Sequence, residues 1–208
     1  MPYYAWLDEK KDKRAIEGLL ALKKGLGADD GVPPRTVQDT LLLATWNLRE
    51  FGKSKCGYRE KESLAYIAEV ISRFDLVAIQ EVREDLSMLR QLKDLLGGWW
   101  KPLYTDVTEG PQGNCERLAF LYDARKLQFS GLAGEIVIPP VPRGNKSYDP
   151  ARQLARTPYL VGFQAGWFKF TICTVHILYG EDKPDHPERV REIQMSGALL
   201  PEGAKGFG

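Results

Sequence analysis

The sequence predicts a mixed α/β (α+β) fold that begins with a β-α-β unit. Two apolar, β-prone runs, at residues 41–47 and 75–83, are separated by a segment with helical periodicity. Each run breaks into a polar side chain, Asn47 in the first and Glu81 in the second. Because the carboxyl ends of neighbouring parallel strands meet at one edge of a sheet, we expect this amide and this carboxylate to lie side by side.

The elements of the first half follow from periodicity and from residues that break helices. An amphipathic helix is expected over residues 8–26, and a linker over 28–34, where Asp-Asp-Gly and Pro-Pro cannot continue a helix. The near-continuous apolar run at 40–47 is typical of a central strand covered on both faces. A crossover helix (60–74), a strand (75–81), a helix (85–96) and a strand (99–105) complete this half.

After Glu116 the pattern changes to antiparallel strands, expected at residues 118–122, 127–138, 159–165 and 168–175. Residues 139–155 are rich in proline and predict a long loop, and residues 186–199 predict a last helix. We divide the chain into an amino-terminal helix and linker (1–35), one main domain (36–200) and an irregular tail (201–208).

Composition bounds the class of protein without identifying it. The 208 residues fit one domain, and a net charge of +1 requires any nucleic-acid-binding surface to be local. No signal-peptide pattern and no membrane-length apolar run occur, and the three cysteines have no paired spacing. We therefore expect a cytoplasmic protein without a disulfide framework.

Asn47 and Glu81 are the site residues that the strand pattern itself identifies. Each alone is more simply explained as a polar group where a strand meets solvent. Together they provide the oxygen and amide groups that Mg²⁺ with a bound phosphate uses. A second feature, Gly52-Lys53-Ser54, resembles the end of a phosphate-binding loop, but Asn47 stands where that loop requires glycine.

Five motifs occur in order along the chain: Thr-Trp-Asn47, Ile-Gln-Glu81-Val-Arg83, Glu116-Arg-Leu-Ala-Phe-Leu-Tyr-Asp, Arg156-Thr-Pro and Thr-Val-His176. This series resembles the endonuclease/exonuclease/phosphatase superfamily, which has the DNase I-like fold. The resemblance implies a four-layer α/β/β/α sandwich. It also implies hydrolysis of a phosphodiester, with nucleic acid as the expected substrate, endonuclease action as the expected mode, and Mg²⁺ or alternatively Mn²⁺ as the cofactor.

The resemblance further implies roles for individual residues. Glu81 would ligate the metal, and Asn47 would orient the scissile phosphate and the attacking water. His176, steadied by Glu116, would donate hydrogen bonds to the phosphate. The residues that would contact phosphate or substrate are Arg83 and Arg156. These roles agree with an in-line attack, in which negative charge accumulates on phosphoryl oxygens.

The sequence departs from the family after residue 191. Family members continue with a Gly-Asp-Phe-Asn-type strand end, a further Asp and a Ser-Asp-His-type motif, and none of these occurs here. We therefore expect that the carboxyl-terminal half of the sandwich is largely missing, and that this chain alone is nearly inactive and poorly soluble.

Three other functions stay open at this point. They are a catalytically inactive binding module of the same fold, a phosphatase acting on phospholipids or inositol phosphates, and a nucleotide-binding protein that uses residues 52–54. No obligate protein partner can be inferred.

Overall fold

The computed structural model describes residues 2–52, 58–108, 115–143, 148–149, 153–181, 183 and 185–199. Within these residues the elements, in chain order, are α1 (Lys13–Leu26), β1 (Leu43–Phe51), α2 (Lys61–Ile71), β2 (Leu76–Arg83), α3 (Ser87–Leu96), β3 (Trp100–Tyr104), β4 (Glu116–Asp123), β5 (Gln128–Glu135), β6 (Val141–Pro142), β7 (Tyr148–Asp149), β8 (Tyr159–Ala165), β9 (Phe168–Thr174) and α4 (Pro187–Leu199). Lys53, Ser54 and the tail at 201–208 lie outside the described residues.

The first sheet contains four strands in the order β1-β2-β4-β3. β1 and β2 are parallel and α2 connects them, which confirms the predicted β-α-β unit. Alternate residues of the central strands, such as Val77, Ile79 and Leu121, point to one face and pack with Leu64 and Leu92 of the helices. The helices therefore cover one face of this sheet.

The second sheet contains β5, β8 and β9, all antiparallel. Its residues Val161 and Phe163 pack against Leu76, Ala78 and Phe120, which point from the other face of the first sheet. Helices, first sheet and second sheet thus form successive layers, and the mixed α/β fold with two sheets is confirmed. None of the helices in the described ranges is long and apolar enough to cross a bilayer.

Two features differ from the predictions. Within the described part of the chain, β1 is an edge strand and not the central strand that its apolar run indicates, and Leu43 is 43% exposed. The predicted loop at 139–155 contains a short pair of antiparallel strands, β6 and β7. An apolar run indicates that a strand is buried. Whether the strand has a partner on one side or on both depends on distant parts of the chain.

The linker after α1 is attached to the sheet by a cluster of buried charges. Arg35 donates from Nε to Asp75 Oδ1 and from Nη2 to Asp123 Oδ2, each over 2.8 Å. Asp75 and Asp123 are fully buried. Lys126 Nζ lies 3.2 Å from Asp75, and Arg125 also pairs with Asp123. Each buried carboxylate thus has cationic partners, which offset the cost of burying it.

Candidate functional site

Glu81 occupies a bulge in β2 that changes the direction of its side chain. Asn47 of β1 lies opposite Gln80, so in a regular strand the next residue would point to the other face. Glu81 instead has a φ of 61°, and the register with β4 shifts between Ile79 and Val82. The break in alternation brings the Glu81 carboxylate to Asn47, with Nδ2 to Oε1 separated by 2.7 Å.

The orientation of the Asn47 amide is set by its partners. Its Nδ2 donates to Glu81, while its Oδ1 accepts a hydrogen bond from Arg49 N over 2.8 Å. A backbone N–H requires an acceptor and a carboxylate requires a donor, so only one orientation of the amide satisfies both. Glu50 N donates to the second oxygen of Glu81 over 2.9 Å. The amide and the carboxylate are thus held as a unit.

The backbone that supplies these donors is itself unusual. Arg49 and Glu50 have φ values of 33° and 56°, a left-handed conformation that is uncommon outside glycine. Arg59, just before α2, donates to the carbonyl of Leu48 over 3.0 Å and also to the carbonyl of Arg49. The helix entry therefore stabilises the bulge of β1.

Glu116, the first residue of β4, is the buried carboxylate of the site. It is 4% exposed, and its Oε2 accepts from Arg156 Nε over 2.6 Å and lies 3.2 Å from His176 Nδ1. Burial raises the pKa of Glu116, but the contacts with His176 and Arg156 outweigh burial and hold this pKa below its usual value. Glu116 is therefore a carboxylate at neutral pH.

His176 lies between the two glutamates, two residues after the end of β9. Its Nε2 is 3.6 Å from Glu81 Oε1, on the side opposite the contact with Glu116. Gln80 supports this arrangement because its Nε2 donates to Thr174 Oγ1 over 2.8 Å and joins the two sheets. Gln80 lies in the Gln-Glu-Val motif, but the motif itself does not indicate this role.

Five of the six predicted site residues line one cleft of about 900 Å³: Asn47, Glu81, Glu116, Arg156 and His176. The sixth, Arg83, is not among the lining residues, and its Nη1 lies 3.6 Å from Glu116 Oε1. Sequence reasoning gave no role to the other polar residues of the wall, which include Arg49, Glu50, Tyr179 and Arg189. Tyr179 and Arg189 follow no recognisable motif.

Glu81 is the residue whose oxygens decide whether the cleft has room for a metal ligand. Among the described residues, no group of three or more His, Cys, Asp or Glu is arranged to hold a metal. Each oxygen of Glu81 accepts one hydrogen bond, from Asn47 or from Glu50, and retains a second lone pair. Mg²⁺ is commonly bound by one or two carboxylates, several waters and substrate phosphates. The free lone pairs of Glu81 are therefore available to a divalent cation such as Mg²⁺.

Comparison with solved structures identifies the fold. An endonuclease/exonuclease/phosphatase family protein from Bacteroides thetaiotaomicron superposes with a TM-score of 0.52, at 20% identity, over 78% of this chain and 57% of that chain. The chain therefore shares the fold of that protein. The fold that the sequence motifs implied is thus confirmed. Humanized TDP2 from D. rerio has a TM-score of 0.49 at 14% identity, covering 78% of this chain and 57% of that one.

One curated protein is similar to this chain in sequence. A protein from Thioalkalivibrio sp. (strain K90mix) named deoxyribonuclease is 28% identical over 166 residues, which are 77% of this chain and 41% of that protein. No family model matches the chain. The chain therefore spans less than half of this curated relative and less than two thirds of the solved structures.

Proposed function

We propose that the cleft is the phosphate-binding part of a Mg²⁺-dependent phosphodiester hydrolase of the nuclease type. The observation that carries the proposal is the contact between Asn47 and Glu81 in the same cleft as Arg156 and His176. A carboxylate for a metal, an amide, a guanidinium and an imidazole are the groups that phosphoryl transfer requires. The name of the curated relative supports DNA as the substrate.

Each residue has a distinct task in the proposed reaction. Bound Mg²⁺ would polarise a phosphoryl oxygen and neutralise the charge that accumulates on it. Asn47 uses one N–H for Glu81 and directs the other to the substrate phosphate, and His176 donates a further hydrogen bond. Arg156 supplies positive charge beside the phosphate while Glu116 fixes its orientation over 2.6 Å. The task of this chain is therefore to orient a phosphodiester.

The test compares two glutamates of the same segment. Glu81→Gln removes the proposed metal ligand, and Glu84→Gln changes an exposed glutamate three residues later as a matched control. We would measure cleavage of a DNA oligonucleotide and of bis(4-nitrophenyl) phosphate at several Mg²⁺ concentrations, with EDTA as a blank. The expected result is slow, EDTA-sensitive cleavage that falls by about 100-fold in Glu81→Gln and is retained in Glu84→Gln.

Other outcomes separate the alternatives. Cleavage that survives EDTA, or that survives Glu81→Gln, contradicts the proposal. Calorimetric titration with Mg²⁺ tests whether the chain is a catalytically inactive binding module, since such a module does not need to bind the ion through Glu81. Faster release of phosphate from an inositol phosphate than cleavage of DNA would assign the site to a phosphatase.

A further inference from the structure

Glu192 is a buried carboxylate that no motif accounts for. It lies on α4, is 1% exposed, and uses both of its oxygens to accept hydrogen bonds from backbone amides. Oε1 accepts from Ala155 N over 2.6 Å, and Oε2 accepts from Leu178 N over 2.8 Å. Hydrogen bonds to an ionised acceptor are among the stronger ones in proteins. Glu192 therefore joins two chain segments that are distant in sequence.

The two amides belong to the segments that carry cleft residues. Ala155 immediately precedes Arg156, and Leu178 follows His176 by two positions. Both segments lie outside the strands, since β8 begins at Tyr159 and β9 ends at Thr174. Sheet pairing consequently does not set the positions of Arg156 and His176 directly.

The second segment has further contacts with α4. Arg189 Nη1 donates to the carbonyl of Tyr179 over 3.3 Å. Gly180 has a φ of 70°, and a Cβ at this position would lie 2.9 Å from the Cβ of His186, just before α4, and 3.2 Å from the Cβ of Arg189 on α4. Only glycine permits both the conformation and the close approach. The helix is therefore a fixed support for the segment after β9.

We propose that Glu192 is a positioning residue that fixes the backbones of the Arg156 and His176 segments relative to each other. On the cleft side, Glu116 contacts the side chains of Arg156 and His176. One carboxylate thus links the two side chains, and Glu192 links the two backbone segments that carry them. This inference rests on the proposed function, because it gives Arg156 and His176 their task. It adds a residue that acts through others and does not touch the substrate.

Glu192→Gln tests the proposal with little change in shape. The Gln oxygen can accept from one amide, but its NH₂ group then faces the other N–H, so one buried donor loses its acceptor. Glu188→Gln is the matched control, since Glu188 lies one turn earlier on α4, pairs with Arg191 over 3.2 Å and is not among the residues that line the cleft. Both variants are made in the full 208-residue chain.

Three measurements are compared between the variants. Hydrogen exchange by NMR reports the protection of the Ala155 and Leu178 amides. Titration with inorganic phosphate in the presence of Mg²⁺ reports binding without turnover, and steady-state kinetics on bis(4-nitrophenyl) phosphate separates kcat from KM. For Glu192→Gln we expect about 10-fold faster exchange at one or both amides, weaker phosphate binding and a kcat lower by about 10- to 100-fold. Glu188→Gln should match the wild type.

The results test the positioning role of Glu192 and the proposed hydrolase function separately. Unchanged exchange at both amides in Glu192→Gln, or changed exchange with phosphate affinity and kcat within about twofold of wild type, overturns the positioning role. The positioning role is also overturned if circular dichroism or urea titration shows that Glu192→Gln is globally unfolded in the absence of denaturant. Glu192 would then be a general stabiliser of the fold. Phosphate binding without turnover in the wild type counts against hydrolysis alone, while the exchange and binding data still decide the role of Glu192. A wild type that binds no phosphate contradicts both proposals.

Discussion

Asn47 donates a hydrogen bond to Glu81 across a parallel strand pair, over 2.7 Å, although the register partner of Asn47 is Gln80. The left-handed φ of Glu81 makes this contact possible. The same conformation costs on the order of 1–3 kcal/mol, which the rest of the sheet must offset. Strained backbone conformations cluster at functional sites, where they hold polar groups in the positions that the chemistry requires.

Asn47→Ala should disable the site while leaving the fold intact. The substitution removes the donor to Glu81 and the acceptor for Arg49 N, but Asn47 is exposed, so the loss of stability should be about 1 kcal/mol. We expect kcat for phosphodiester cleavage to fall by about 100-fold. Steady-state kinetics and urea unfolding measure the two effects. Activity within a few-fold of wild type would count against a role for the amide.

Arg156→Lys and Arg83→Lys should differ in their effect on activity. Lysine keeps the charge but lacks the planar guanidinium, and Arg156 is buried with its Nε 2.6 Å from Glu116. We expect kcat/KM to fall by about 10- to 100-fold for Arg156→Lys. Arg83 lies 3.6 Å from Glu116 outside the cleft lining, so its change should cost less than about fivefold. A larger loss for Arg83→Lys would reverse this order of importance.

Stability should fall in acid because of Asp123. Burial raises the pKa of Asp123, but hydrogen bonds from Arg125 and Arg35 outweigh burial and lower this pKa to about 2. The unfolded chain has a pKa near 3.9, so the stabilisation is fully present above about pH 4 and is lost as pH falls toward 2. The contribution at neutral pH is about 2 kcal/mol.

Urea unfolding of Asp123→Asn between pH 7 and pH 2.5 measures this contribution. The variant should be less stable at pH 7 and should lose less stability on acidification than the wild type. Asp94→Asn, at an exposed carboxylate, is the control. Parallel pH curves for Asp123→Asn and wild type would show that acid sensitivity arises elsewhere.

Leu43→Lys should reduce self-association. β1 is an edge strand of the described sheet, and Leu43 and Val175 line a cleft of about 410 Å³ between the edges of the two sheets. Exposed apolar edges promote pairing between chains, and a lysine opposes it. Light scattering at rising concentration should show fewer oligomers for Leu43→Lys than for Leu20→Lys, which changes an exposed apolar residue on α1. Equal scattering by the two variants would exclude the edge as the cause.

Much of the element order was predictable because local patterns decide it. The expected strands at 159–165 and 168–175 correspond to Tyr159–Ala165 and Phe168–Thr174, with Gly166 in the left-handed turn between them. The start of α1 was predicted five residues too early. Asp8 accepts hydrogen bonds from Lys10 N and Lys11 N, and such a side-chain turn competes with helical pairing.

The residues of the site could be predicted from the sequence, but the contacts that hold them in place could not. The motifs led to Asn47 and Glu81, yet nothing in the local sequence indicates left-handed conformations at Arg49 and Glu50 without glycine. The burial of Glu192 was equally hidden, because a glutamate among polar residues on a weakly amphipathic helix predicts exposure. These features depend on contacts between segments far apart in the chain.

β4 has an acidic residue at each end, and β2 is preceded by Asp75 and carries Glu81 near its other end. Glu81 and Glu116 face the cleft, whereas Asp75 and Asp123 lie at the other end with Arg35. Trp167, which is 91% exposed, lies at that other end beside Arg125 and Lys126. Trp167 lies in the turn between β8 and β9. A fluorophore or a sensor surface coupled at this turn would leave the cleft at the opposite end accessible, so the turn is suited to oriented immobilisation of the protein.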